Sequence, residues 1–320
     1  MSATRVAWFA VAALAVGCSG SGGGNGMNNN NIPGPMRPSG FNPPLPEAGE
    51  IELDSPIIPA IAPGTDVTYC SYLDATITDE TDVVRFRGVQ SMPGHHAILY
   101  AAKQTRPVDT HVCTEDDMIN SRFIAAAPGE GVGKLEIPDG LAFRIPAGTQ
   151  LMIQTHWINA TMHPADGQAV IYLTEQPSSP SRQVLDLFNV VLTNFTIPAG
   201  KTVTASTTCT MKQDVQLFTI TGHQHEFGSH VNILLDDGGN ATTLWNNDWL
   251  PQYQSTPPET IYSVAQPLVL KAGQKMTVTC SWNNPGAVDL AFPREMCVGS
   301  GFYFPAVKGE IDCVDGNWGG

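Results

Sequence analysis

The chain has 320 residues, 30 of them acidic and 16 basic, for a formal net charge of −14. No cluster of Lys or Arg exists that would neutralise a phosphate backbone, so nucleic acid is excluded as a partner. Apolar residues make up 42% of the chain, with 12 Phe, 7 Tyr and 6 Trp, which excludes wholesale disorder and supplies enough bulk for two cores.

Residues 6–17 form an apolar stretch that would span only about 18 Å as a helix, short of the ~30 Å hydrocarbon thickness of a bilayer. With Arg5 before it and small residues after it, the stretch reads as a secretory signal over residues 1–17. Leu14-Ala15-Val16-Gly17-Cys18 is similar to a bacterial lipoprotein cleavage site, with Cys18 as the lipidated residue; plain secretion is the alternative. Of the 28 residues 19–46, 22 are Gly, Ser, Asn or Pro, so residues 18–47 are expected to be a disordered tether. Such a tether would hold a folded body away from a membrane, facing the periplasm or the cell surface, with membrane contact only through the lipid.

The body shows period-two alternation, as in Val83-Val84-Arg85-Phe86-Arg87, Leu151-Met152-Ile153-Gln154-Thr155-His156-Trp157 and Met276-Thr277-Val278-Thr279-Cys280-Ser281-Trp282. These segments predict strands, and punctuation by Gly, Pro and Asn every ten or so residues predicts an all-β fold. One helical turn is expected near residues 116–127. Ile145-Pro146-Ala147-Gly148 and Leu270-Lys271-Ala272-Gly273 each lead into a strand whose tryptophan, Trp157 or Trp282, stands nine residues after the glycine. This repeat predicts two tandem antiparallel β-sandwiches, jelly-roll-like, over residues 48–179 and 180–320. A third copy of the turn, Ile197-Pro198-Ala199-Gly200, weakens the repeat, because such turns are common between strands.

Cys70, Cys113, Cys209, Cys280, Cys297 and Cys313 form an even set in an exported chain, which predicts three disulfides and leaves their connectivity open. No C-x-x-C is present, which argues against a thioredoxin-like or zinc-ribbon motif.

All eight histidines lie between residues 95 and 230. Adjacent side chains on a regular strand point to opposite faces, so His95 and His96 can share a metal only if the backbone kinks, and Pro93-Gly94 supplies a reason for a kink. His156 ends an alternating strand. His223 and His225, two apart, fall on one face of a strand and can converge on one ion. His225-Glu226-Phe227-Gly228-Ser229-His230 is one residue too long for the zinc-protease motif and lacks the helix that motif needs. The alternatives are a buried and an exposed histidine at 95 and 96, and a polar cross-strand patch at 223 and 225.

Taken together, residues 60–315 resemble the copper type II, ascorbate-dependent monooxygenases, represented by peptidylglycine α-hydroxylating and dopamine β-monooxygenases. The likeness rests on four segments in the same order: His95-His96 followed by Ala-Ile-Leu-Tyr, the strand ending Gln154-Thr155-His156, His223-Gln224-His225, and Arg294-Glu295-Met296-Cys297 with Phe302-Tyr303-Phe304-Pro305. The resemblance implies disulfides Cys70–Cys113, Cys209–Cys313 and Cys280–Cys297, and two copper ions flanking a cleft between the domains. His95, His96 and His156 would hold the ion that stores and passes an electron, with Gln154 supporting that passage. His223, His225 and Met296 would hold the ion where oxygen meets substrate.

Three imidazoles bind either oxidation state of copper, whereas two imidazoles and a thioether make a softer site that favours cuprous ion. Met296 is therefore the discriminating residue; its alternative role is core filler. The implied reaction is hydroxylation of an aliphatic C–H bond of a small molecule, with dioxygen and ascorbate or a similar reductant. Thr221, Ser300 and Val298 stand where the peptide-amidating members carry Arg, Tyr and Asn, which puts recognition of a peptide C-terminus in doubt. Two other functions compete: a non-catalytic copper-binding lipoprotein for buffering or delivery, and a structural or adhesive surface protein with incidental histidines.

Overall fold

The computed structural model describes residues 36–128, 132–254, 257–307 and 309–319. The expected signal segment, Cys18 and most of the expected tether lie outside the described residues. Residues 36–47, which composition assigns to the tether, instead lie against the first sheet. Arg37 pairs with Glu52 and Asp54 at 2.5 Å each, Arg87 donates to the Leu45 carbonyl at 3.2 Å, and the Tyr172 hydroxyl donates to the Pro44 carbonyl. Pro and Gly fill this stretch, but a few backbone carbonyls and one arginine suffice to pin it.

The fold is all-β, with several sheets arranged as β-sandwiches. In the first half one sheet runs in the order Glu50–Asp54, Ala169–Pro177, Thr81–Gln90, Leu141–Ile145, Gln183–Val184, with Gly133–Glu136 on the central strand. Facing it is a five-stranded sheet in the order Thr110–Val112, Asp66–Thr76, Gln150–Ile158, Gly94–Ala102, Ser121–Pro128. In the second half Thr260–Ile261, Thr219–His223, Cys297–Phe304, Asp186–Leu192, Ile311–Val314 and Asn317–Gly319 form one sheet, with Val215–Leu217 and Leu268–Leu270 at its side. The other contains Lys201–Thr210, Lys275–Asn284, Gly228–Asp237 and Asn240–Asp248. Pairing is antiparallel except where Gln183–Val184 meets Leu141–Ile145 and Asp186–Leu192 meets Ile311–Val314.

The three alternating segments are strands: Thr81–Gln90, Gln150–Ile158 and Lys275–Asn284. The one helical turn expected near residues 116–127 lies at the front of that stretch. Only Glu115–Ile119 is helical, started by a capping box between Thr114 and Asp117, and Ser121–Pro128 is a strand. Phe123, Ile124, Ala125, Ala126 and Ala127 are all buried, and pairing with Gly94–Ala102 overrides the helical preference of the alanines.

The repeat extends further than the turn motif. Asn159, two residues after Trp157, donates from Nδ2 to the carbonyls of Ile61 and His163, while its Oδ1 accepts from the Thr161 amide. Asn284, two residues after Trp282, donates to the carbonyls of Ile197 and Val288, and its Oδ1 accepts from the Gly286 amide. Ile197 is thus the counterpart of Ile61, and each begins a turn whose glycine, Gly64 or Gly200, has positive φ, a conformation that favours a residue without Cβ. The third turn therefore belongs to the duplication. It is the second half's copy of the Ile61–Gly64 turn.

Three disulfides join Cys70 to Cys113, Cys209 to Cys313 and Cys280 to Cys297, the same pairs that the family resemblance implies. The halves are joined by packing as well as by chain. Phe302, from the second half, lies 5.4 Å from Phe143 and 6.3 Å from Phe123, centroid to centroid, inside the first half's core. Arg122 reaches across to Asp186 at 2.8 Å.

Candidate metal centres

His95, His96 and His156 converge. Their candidate ligand atoms all lie within 4.8 Å of one another, and the Nδ1 atoms of His95 and His96 are 3.2 Å apart. The kink that adjacency demands is a β-bulge. In the pairing of Gly94–Ala102 with Gln150–Ile158, His156 faces His96 and Trp157 faces Gly94, so His95 is the extra residue. A bulge turns the extra side chain toward the face its neighbour occupies. Burial, with the neighbouring His156, pushes His95 down to about 4, and burial holds His96 well below the ordinary histidine value, so both are neutral near pH 7.

The same bulge recurs in the second half without the same side chains. There Trp282 faces Gly228 and Ser281 faces His230, with Ser229 as the extra residue. Ser229, His230 and Ser281 stand in place of His95, His96 and His156, and the His230 ring is bonded to Asp248 and Asn246.

His223 and His225 meet with ring centroids 5.1 Å apart. His223 is 1% exposed, and neither of its ring nitrogens has a hydrogen-bond partner. Trp249 covers it edge-on at 5.7 Å and donates its indole N–H to the His225 carbonyl. The Nδ1 of His225 donates to the Arg294 carbonyl at 3.1 Å, leaving Nε2 free to bind. Burial pushes His225 down to about 4.

Met296 is buried against Val191, Val298 and Phe292. Val298 faces His223 in the last pair of their strand ladder, and Met296 and His225 each lie two residues beyond it on their own segments. Glu295 locks the two segments together, its carboxylate accepting the backbone N–H groups of His225 at 3.2 Å and Phe227 at 2.8 Å. The Cys280–Cys297 bridge ties the next residue to the opposite sheet.

A charge on His225 would disfavour a charge on His95 and His96, and a charge on His156 would disfavour one on His225. Gln154 is buried, and its side-chain amide turns to the Met118 sulfur at 3.0 Å. The Thr221 hydroxyl donates to the Pro258 carbonyl and that of Ser300 to Asn189, so both are committed within the protein. Two residues with no assigned part in the sequence reading emerge: Glu295, and Asp66, whose carboxylate lies 2.7 Å from Nε2 of His156. No sequence signal marks Asp66, because only the strand register brings it to His156.

Among solved structures, the chain is similar to the major capsid protein P2 of bacteriophage PM2, at 12% identity and a TM-score of 0.39, covering 81% of this chain and 99% of that one. The structure of Sulfolobus turreted icosahedral virus matches at 9% identity and a TM-score of 0.22, covering 78% of this chain and 59% of that one. The CUB1-EGF-CUB2 domain of human MASP-1/3 matches at 8% and 0.19, covering 79% and 99%. Likeness this low says nothing of function. The part of the chain that carries His223, His225 and Met296 is another matter: residues 181–316 match the C-terminal domain of the copper type II ascorbate-dependent monooxygenases.

Proposed function

We propose that the protein is a copper-dependent monooxygenase that hydroxylates an aliphatic C–H bond of a small molecule. The observation that carries this reading is the pair of unlike clusters, three histidines in one half and two histidines beside the Met296 segment in the other. The donors suit copper on their own terms. Neutral imidazoles offer lone pairs at physiological pH, and the unpartnered acceptor nitrogen of buried His223 forfeits about 1–3 kcal/mol that a bound ion would restore. A thioether beside two imidazoles suits cuprous ion better than zinc.

His95, His96 and His156 would hold one ion and His223, His225 and Met296 the other. Bound there, copper would supply one-electron transfer and oxygen activation. The chain's own residues do the rest. The Arg294 carbonyl and the Glu295 carboxylate orient His225 and its loop, while Trp249, Val191 and Val298 keep water from the buried side of the site. One oxygen atom enters the C–H bond and the other leaves as water, with two electrons and two protons from an ascorbate-type reductant. The hydroxyls of Thr221 and Ser300, already bonded, are poor anchors for a peptide carboxylate.

To test this, the protein is loaded with copper, its ions are counted, and a substrate panel is supplied with ascorbate and labelled dioxygen. Two ions per chain and labelled oxygen in a product are expected. Two ions without turnover would favour storage or delivery, and no bound ion would reject the reading. Export with a lipid on Cys18 completes the proposal, supported by the three disulfides, which persist in oxidising compartments. Mass analysis of the mature N-terminus decides it: an unmodified Cys18 would reject the anchor.

A further inference from the structure

We infer that Asp66 is the positioning residue of the three-histidine cluster, fixing the tautomer of His156 so that Nδ1 is the atom presented to a metal. The inference rests on the copper reading of that cluster and asks how one ring is held. The Asp66 Oδ1 lies 2.7 Å from the His156 Nε2, and an ionised carboxylate only accepts, so the proton of that ring sits on Nε2. With Nε2 committed outward, Nδ1 is the nitrogen left to join His95 and His96.

Backbone register makes the contact reproducible. Asp66 faces Ile158 across the strand pair, and His156 and Ile158 share a face, so the carboxylate reaches the ring diagonally. The chain beside it is fixed by two bonds at the strand end, Asn159 N to Thr65 O at 2.9 Å and Gly64 N to Asn159 O at 2.7 Å. Asp66 is thus held on rigid backbone although its carboxylate is partly exposed.

The duplicated half supplies an internal comparison. Its bulge carries Ser281 where the first half has His156, and opposite Asn283, the counterpart of Ile158, stands Thr202 in place of Asp66. The carboxylate accompanies the histidine set where the set is complete and is missing where it is not. Carboxylate–histidine–metal relays fix ring orientation and strengthen the imidazole as a donor, and removing the outer partner typically costs about 10–100-fold in metal affinity.

The test compares wild-type protein with Asp66→Ala and Asp66→Asn. Each is loaded with copper, and the affinity of each ion is measured by competition with a cuprous chelator, together with its reduction potential and the spectrum of its cupric form. Asp66→Ala is expected to weaken one of two ions by about 10–100-fold. Asp66→Asn, which retains an oxygen acceptor, should weaken it less. Both should raise that ion's potential, because an anionic partner favours the more positive oxidation state, and both should leave the second ion unchanged. Wild-type affinity and potential in both variants would overturn the inference, as would equal weakening of both ions, which would mark general destabilisation. If wild-type protein binds nothing at His95, His96 and His156, this inference and the proposed function fall together. If it binds there and the variants are indifferent, the role of Asp66 falls alone.

Discussion

Asn159 and Asn284 occupy the same place in the two halves, and that equivalence has an energetic consequence. Each is almost fully buried, with Nδ2 donating to two backbone carbonyls and Oδ1 accepting a backbone N–H. Alanine at either position strands one buried carbonyl and loosens two groups nearer solvent. At about 1–3 kcal/mol for the buried group and about 0.5–1.5 for each of the others, the cost is about 2–6 kcal/mol per substitution. The two share no partner, so the double variant should lose the sum within about 0.5 kcal/mol. Urea unfolding at unchanged slope measures all three losses. Function should separate them: Asn159 anchors the end of the strand that carries His156, so Asn159→Ala should weaken copper at the three-histidine cluster while Asn284→Ala should not. If one substitution costs under about 1 kcal/mol and the other over about 3, the shared hydrogen-bond pattern does not carry equal energy, and the reasoning fails.

Met296→Leu keeps volume and should hold stability within about 1.5 kcal/mol, yet weaken the second ion and abolish product formation; copper counts and labelled-oxygen turnover check it, and unchanged turnover removes the sulfur from the ligand set. Glu310, which accepts the Phe123 N–H at the joint of the halves, is pushed up from 4.5 to about 8 by burial and by Asp186 and Asp312. The folded protein therefore keeps a proton that the unfolded chain releases, so stability should fall as pH rises from about 4.5 to about 8 and then level off. Glu310→Gln should flatten that slope in a pH series of unfolding midpoints, and an unaltered slope would assign it to another group. Finally, Ser229→His with Ser281→His should build a three-imidazole set with His230 on the second bulge; equilibrium dialysis should find one more cupric ion per chain than in wild-type protein, and an unchanged count would mean that the bulge alone does not make the rings converge.

The strands were legible because alternation survives wherever one face is buried, and Lys275–Asn284 shows it plainly, with Met276, Val278, Cys280 and Trp282 all inside. Ser121–Pro128 was not, because both its faces are buried and its alanines carry no period. Their smallness serves close packing: a Cβ on Gly88 would stand 2.6 Å from the Cβ of Ala127. The histidines were legible as residue types, and adjacency at 95 and 96 even required a kink. What sequence could not supply was register. Asp66 and His156 are 90 residues apart, and their meeting depends on which strand lies beside which, a choice made by the whole sandwich.

Register also explains how two like halves come to hold two unlike sites. Gln90 stands four residues before Gly94 and Gln224 four before Gly228, and each glutamine lies so close that a Cβ on its glycine would clash with the side-chain oxygen, at 2.5 and 2.6 Å. On that alignment His223 and His225 correspond to Val89 and Ser91, and Ser91 is spent on bonds to Gln168 and Asp166. Each half therefore offers two positions, a bulge and a strand end, and each has filled only one: the first half its bulge, with three imidazoles and Asp66, the second half its strand end, with two imidazoles and the Met296 segment. Filling the same position twice would have given two sites of one composition and one oxidation-state preference. Filling different positions would give, on the proposed ligand assignment, an all-imidazole set and a softer one with a thioether, and the shared core around Phe302 packs the two halves together.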